Sequence, residues 1–292
     1  MHIFKRAAGT KGRKLCLLLL LILFLCAAFD HRLTVRNYTI DAPQLSDPVR
    51  IALITDLHSC YYGEQQKGLI EALHRQAPDL VLLVGDIFDD ELPNKNSEAF
   101  IKGISGRYPC YYVTGNHEYW SGPENVEVLL TFLKENGVFI LSGDCETIYI
   151  GAQALNLCGV DDPAAFTALS PASDVVPADP MTDFTKQLDA VSEASDNGFY
   201  TLLLSHRPEY IDLYASRGFD LVLSGHAHGG QWRIPGILNG LFAPNQGLFP
   251  DYTGGFYELD GTAMIVSRGL ARESTPVPRI FNRPELVIID LT

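Results

Sequence analysis

Five short apolar runs stand out along the chain: residues 48–55 (PVRIALIT), 79–84 (DLVLLV), 110–114 (CYYVT), 200–204 (YTLLL) and 219–223 (FDLVL). Each is apolar at consecutive positions and rich in branched or aromatic side chains, which predicts strands buried on both faces. Helical spacing lies between them. Residues 65–76 follow a turn and form one helix. A second opens at Ser121, with Pro123 in its first turn and Glu124 three residues after Ser121, and runs to about Asn136 before Gly137. A third, 182–194, repeats Phe184, Leu188 and Val191 along one face. Strands alternating with helices predict an α/β protein. Residues 147–150 and 154–160 read as a hairpin across Gly151, and the Ala-, Ser-, Pro- and Asp-rich stretch 161–181 as a surface excursion. Residues 255–259, 263–267 and 285–291 read as strands of a second sheet, and the polar stretch 32–48 as a stalk or an edge strand.

The N-terminus departs from this pattern. Lys5, Arg6, Lys11, Arg13 and Lys14 precede an unbroken apolar run over 15–29 (LCLLLLLILFLCAAF), the order of a basic n-region and an apolar h-region. As helix this run reaches about 22 Å, against a hydrocarbon core of ~30 Å, and flanking lysines can snorkel. The expectation is a single-pass signal anchor over 1–30, a stalk over 31–47 and one soluble domain over 48–292. The basic end would stay cytoplasmic and the domain would lie on the extracytoplasmic face. Cleavage of the leader stays open.

Composition narrows the functions further. The 292 residues are 47% hydrophobic and 20% charged, enough to bury one large core. Net charge is −13, and removing the +5 of the first fourteen residues leaves −18 for the rest. So acidic a body repels a nucleic-acid backbone, which argues against general DNA or RNA binding. Outside the leader, Cys60, Cys110, Cys145 and Cys158 show no CxxC spacing, so a zinc ribbon is unsupported and any disulfide connectivity is left open.

All five apolar runs end in side chains that can bind metal. The endings are T-D-L-H (Asp56, His58), G-D (Asp86), G-N-H-E (Asn116, His117, Glu118), S-H-R-P (His206) and G-H-A-H (His226, His228), and they hold five of the eight histidines. In α/β sheets, ligands gather beyond the carboxyl ends of strands, so these residues should converge on one cleft. Asp56 and His58, two apart, would share one face of an extended strand end, as would His226 and His228. Glycines before Asp86, Asn116 and His226 permit tight turns and close approach. Imidazole, carboxylate and amide oxygen without thiolate suit Mn, Fe, Zn or Co.

The blocks D-x-H, G-D, G-N-H-E, H and G-H-x-H, in that order, resemble the calcineurin-like metallophosphoesterase superfamily. GHAHGGQWRIP (225–235), GLFPDYTGGFY (247–257), SRGL and NRPEL are similar to its membrane-associated bacterial phosphodiesterases, related to UDP-2,3-diacylglucosamine hydrolases. The likeness spans about 50–292. It implies a four-layer αββα sandwich of two mixed sheets with flanking helices, and two divalent metal ions, with Mn favoured. Asp56, His58, Asp86 and His228 would surround one ion, and Asp86, Asn116, His206 and His226 the other, with Asp86 bridging. His117 would be the general acid in attack by a metal-activated hydroxide. The substrate would be a phosphorylated small molecule or lipid, cut at a phosphodiester or pyrophosphate bond; a phosphomonoesterase, a phosphoprotein phosphatase or a membrane-tethered scaffold are the alternatives. Glu118 is a candidate acceptor orienting a ligand histidine. The apolar stretch from Trp232 to Phe249 reads as a lipid-facing lip or a self-packing loop. Arg207, Arg233, Arg268 and Arg272 are candidate phosphate contacts or plain surface cations. Oligomeric state is not legible.

Overall fold

The computed structural model describes residues 10–168, 179–272 and 277–292. Fourteen strands are seen among them: β1 (Thr34–Ile40), β2 (Val49–Ile54), β3 (Leu80–Val84), β4 (Cys110–Val113), β5 (Val138–Ile140), β6 (Asp144–Ile150) and β7 (Gln153–Gly159) come first. After them come β8 (Tyr200–Leu204), β9 (Leu221–Ser224), β10 (Phe242–Ala243), β11 (Gly247–Leu248), β12 (Gly255–Leu259), β13 (Thr262–Val266) and β14 (Glu285–Leu291). Two six-stranded sheets result, ordered β1-β14-β2-β3-β4-β5 and β12-β13-β9-β8-β7-β6, with β10 and β11 as a separate ribbon. Both sheets are mixed. In the first, β14 runs antiparallel to β2 and parallel to β1; in the second, β12 and β6 are the antiparallel edges.

Period-two alternation explains why the strands read as unbroken apolar runs. Ile51, Leu53, Leu82 and Val84 point into the space between the sheets, where they meet Leu155, Leu157, Leu202, Leu204 and Leu223. Their neighbours Ala52, Ile54, Val81 and Leu83 point outward onto helices. The helices are α1 (Thr10–Ala28), α2 (Lys67–Gln76), α3 (Lys95–Ile104), α4 (Asn116–Trp120), α5 (Pro123–Glu135), α6 (Ala164–Ala168), α7 (Pro180–Ala194) and α8 (Ile211–Ala215). Leu69 and Leu73 of α2, Phe100 and Ile101 of α3 and Leu129 and Leu133 of α5 cover the first sheet. Phe184, Leu188 and Val191 of α7 and Tyr214 of α8 cover the second. With both faces of both sheets buried, the architecture is the expected four-layer sandwich.

Several local expectations shift. Glu285–Leu291 belongs to the first sheet, because the chain returns to pair between β1 and β2. Ser121 does not open α5; it closes α4 and donates its hydroxyl to Glu118 O, and Gly122, at φ 93°, precedes Pro123 instead. Helix α7 begins two residues early, at Pro180, where Asp179 accepts from Met181 N. Part of the excursion is helical (α6), and 169–178 lie outside the described residues. Residues 34–40, within the stretch read as stalk or edge strand, pair with β14. The hairpin is longer than expected, and Cys145 and Cys158 face one another across it as a disulfide.

The single-pass anchor is not borne out. Helix α1 is 19 residues long, but Lys11, Arg13 and Lys14 occupy its first turns, and no helix among the described residues is long and apolar enough to cross a membrane. The remaining apolar run spans too little of the ~30 Å core. The extracytoplasmic placement that rested on it falls as well. Against the body, Phe24 of α1 meets Phe281 edge to face, and Phe281 N donates to Ala28 O.

Candidate metal centre

Beyond the ends of β2, β3, β4, β8 and β9 the chain turns sharply. Asp56, His58, Asp86, His226 and His228 all have positive φ, between 46° and 64°. The extended-strand geometry expected for the two D-x-H and H-x-H pairs is therefore not what aims them. Left-handed turns do, at a cost of about 1–3 kcal/mol for each such residue, which the surrounding packing must hold. The glycines serve close approach. A β-carbon on Gly85, whose φ is 76°, would overlap the His206 ring, and one on Gly115 would overlap Asp86.

These turns bring the seven candidate ligands into one buried cluster. Asp56, His58, Asp86 and His228 form one group that could hold a metal ion, and Asp86, His206 and His226 form another, the ligand atoms of each lying within 4.8 Å of one another. Asp86 is in both. His206 Nε2 stands 3.0 Å and His58 Nε2 3.6 Å from Asp86 Oδ2. The donor set fits cations on a structural criterion. Asp56 Oδ2, His58 Nε2, Asn116 Oδ1 and His228 Nδ1 are buried and make no hydrogen bond, and the buried Asp86 Oδ2 and His206 Nε2 have only each other, at 3.0 Å. A single buried polar atom in that condition costs about 1–3 kcal/mol, and native interiors hold few. So many such atoms on one cluster of residues are what divalent cations would satisfy.

Electrostatics sort the same groups. Burial opposes charge on His206, but Asp86 and Asp56 beside it outweigh that and lift its pKa to about 10. Asp86, although buried, is held well below the ordinary carboxylate range, with His206 the largest opposing influence. Burial, then Arg207 for His226 and His58 for His228, hold those two imidazoles well below their usual pKa and so neutral, the form that ligates metal.

Other residues that build the site were not legible beforehand. Asp89 Oδ2 takes His58 Nδ1 at 2.9 Å, and Asp90 Oδ1 takes His117 Nδ1 at 2.5 Å. The two acids three and four residues after Asp86 were the available signal. Glu118 orients no histidine. Its carboxylate accepts from the backbone N–H groups of Asp86, Ile87, Phe88 and Gly115, at 2.7–3.1 Å, and so binds the β3 and β4 turns together. Of the four arginines singled out, Arg207 reaches the site. Asp162 grips it at Nε and Nη2, and its Nη1 lies 2.9 Å from His226 Nε2. Arg268 pairs with Glu285, and Arg272 stands over the Tyr62 ring.

His117 is partly exposed and lines the mouth of the cluster, its ring 4.4 Å from that of His58 and 4.7 Å from that of Trp120. The cavity there has a volume of about 410 Å³, and its walls are Trp120, Trp232, Leu241, Phe242, Pro244 and Val277. Part of the apolar stretch after the last candidate ligands thus faces the cluster.

Comparison with known proteins agrees with this geometry. A Helicobacter pylori protein described as an uncharacterized metallophosphoesterase is 30% identical over 239 residues, covering 80% of this chain and 57% of its own length. The chain therefore spans little more than half of that relative. Phosphodiesterase YaeI of Escherichia coli is 25% identical over 248 residues, covering 84% of this chain and 82% of its own. Among solved structures, the Haemophilus influenzae NAD nucleotidase shares the fold, with a TM-score of 0.52 at 18% identity, covering 77% of this chain and 46% of that one. The family model for calcineurin-like phosphoesterases matches residues 49–230, and this chain belongs to that family.

Proposed function

We propose that the protein is a two-metal phosphoesterase that cleaves a phosphodiester, or a pyrophosphate, bearing an apolar group. The buried, under-partnered polar atoms of the residues clustered around Asp86 carry the reading. Asp56, His58, Asp86 and His228 would hold one divalent ion, and Asp86, Asn116, His206 and His226 the second. When bound, such ions lower the pKa of a water and neutralise charge on the phosphoryl oxygens. The chain's residues do the rest. Asp90 fixes His117 through Nδ1, leaving Nε2 to carry the proton to the leaving oxygen. Asn245 Oδ1, which also accepts from the Asp162-held Arg207, would take the His226 Nε2 proton at 2.9 Å and leave Nδ1 for a metal. The tryptophan- and leucine-lined wall excludes water beside the reacting phosphorus and gives an apolar substituent, such as the acyl chain of a lipid, a place to lie. The likeness to phosphodiesterase YaeI supports a diester over a monoester.

Turnover of bis(p-nitrophenyl) phosphate with Mn, Fe, Zn or Co is expected to exceed that of p-nitrophenyl phosphate. A reversed preference would replace the reading with a phosphomonoesterase. His117→Ala is expected to keep both metals and lose about 10²–10⁴-fold in kcat on a diester with a poor alkoxide leaving group. The loss should be much smaller with p-nitrophenolate, which leaves without a proton. Equal losses on both would remove His117 from the general-acid role.

A further inference from the structure

The apolar stretch after His228 is a wall with two sides. Trp232, Leu241 and Phe242 face the candidate metal centre, whereas Ile234, Ile237 and Leu238 line a different cleft, of about 440 Å³, that shares no lining residue with the first. Three guanidinium groups meet there: Arg36 from β1, Arg233 from the wall, and Arg268 from the turn after β13. Among the described residues one carboxylate answers them. Glu285 of β14 takes Arg268 Nε at 2.6 Å and stands 3.8 Å from Arg36 Nε. Three positive charges against one negative leave a formal +2.

Arg233 differs from most of the tethered arginines. Arg50 has Asp290, Arg207 has Asp162 and Arg217 has Asp189, although the buried Arg279 is held by the Arg268 carbonyl and Arg272 by the Tyr61 carbonyl, without a carboxylate among the described residues. Among the described residues Arg233 has none. It donates only to neutral oxygens, those of Gly229, Thr253 and Asn239, and its Nε makes no hydrogen bond. Burial, with Arg268 adding repulsion, pushes its pKa down to about 10. A cation half withdrawn from water beside another cation is unfavourable unless an anion completes the site. Access is open, since the Arg36 side chain is 57% exposed and Ile237 is 84% exposed at the lip.

We propose that this cleft is a second anion site, separate from the metal centre, for a compact dianion of the phosphate-monoester class. Two negative charges match the +2, forked guanidinium donors fit phosphate oxygens, and the volume beyond the arginines admits an organic group against Ile234, Ile237 and Leu238. The site does not depend on the hydrolase reading.

Calorimetric titration of the metal-loaded full chain with inorganic phosphate tests it. Wild-type protein is expected to show a binding event that Arg36→Gln weakens at least tenfold and Arg233→Met abolishes, while Arg107→Gln, an exposed control, retains it. Because Arg36 is mostly exposed, its variant keeps the test valid if Arg233→Met fails to fold. Phosphate at the metal centre would be common to all four proteins and cancels in the comparison. Parallel titrations with glycerol 3-phosphate and dihexanoyl phosphatidic acid distinguish a free ester from a lipid headgroup, and arginine-dependent binding of either supports the site. Superimposable titrations of wild type, Arg36→Gln and Arg233→Met with all three ligands would overturn it.

Discussion

Asp86→Ala is expected to cost the protein both metals and its hydrolytic activity. Asp86 belongs to both candidate metal groups, and its two oxygens are committed differently. Oδ1 accepts from His117 N at 3.0 Å, while Oδ2 is buried and faces the two histidines, His206 at 3.0 Å and His58 at 3.6 Å. Removing the carboxylate deletes a ligand from each group, takes the negative charge from between two histidines, and frees the amide that places His117. Loss of an outer partner alone costs ~10–100-fold in metal affinity or activity, so loss of a shared ligand should exceed that by orders of magnitude. Metal content by mass spectrometry and kcat/KM on bis(p-nitrophenyl) phosphate measure it together. Two metals per chain retained in Asp86→Ala, with activity within tenfold of wild type, would sink the two-metal reading. Asp86→Asn keeps the shape and the contact to His117 N; it should lose metal nearly as completely, separating charge from packing.

How far the sequence carried depended on whether a residue's role is local. Each of Asp56, Asp86, Asn116, His206 and His226 sits within three residues of the end of an apolar strand, so position and residue type together announced them. The backbone that aims them was not legible, because positive φ at Asp56 or His228 is imposed by the tertiary frame, and Asp and His, though enriched there, adopt it too rarely for residue type to announce it. Long-range partners were hidden for the same reason. Asp162 with Arg207 and Glu285 with Arg268 are 45 and 17 residues apart. Two other elements were only partly read. The edge strand β1 stayed open between stalk and strand because its burial follows no period of two, and α3 went unread although its buried Ser97, Phe100, Ile101 and Ile104 recur at helical spacing. The misplaced β14 reflects a prior that neighbours in sequence share a sheet. Here the last strand returns to the first sheet and closes it between β1 and β2.

Glu118 shows what such a hidden residue is worth. Its sequence neighbourhood suggested a helper to a histidine, yet its carboxylate is wholly buried and accepts four backbone N–H groups from two separate turns. One of the four belongs to Asp86 and another to Gly115, which precedes Asn116. Burial and the charge of Asp86 push the Glu118 carboxyl up, and the backbone donors oppose them; those donors require an acceptor whatever the pH. Glu118→Ala would strand all four at about 1–3 kcal/mol each, with water entering the vacated space recovering part of the loss. A net loss of about 4 kcal/mol or more is expected, which for a body of this size lowers Tm by roughly 8–16 °C. Glu118→Gln is the sharper variant. It keeps the volume and one acceptor oxygen but turns an NH₂ toward two donors, so it should forfeit about half of that stability while loosening the turns of Asp86 and Asn116 against each other. Thermal unfolding followed by circular dichroism, with metal content determined on the same samples, reads both effects. If Glu118→Gln matched wild type in Tm and metal content, the four hydrogen bonds would not be what holds the two turns in register. Loss of metal with a lowered Tm would place the rigidity of the candidate centre in a side chain that is not itself a candidate ligand.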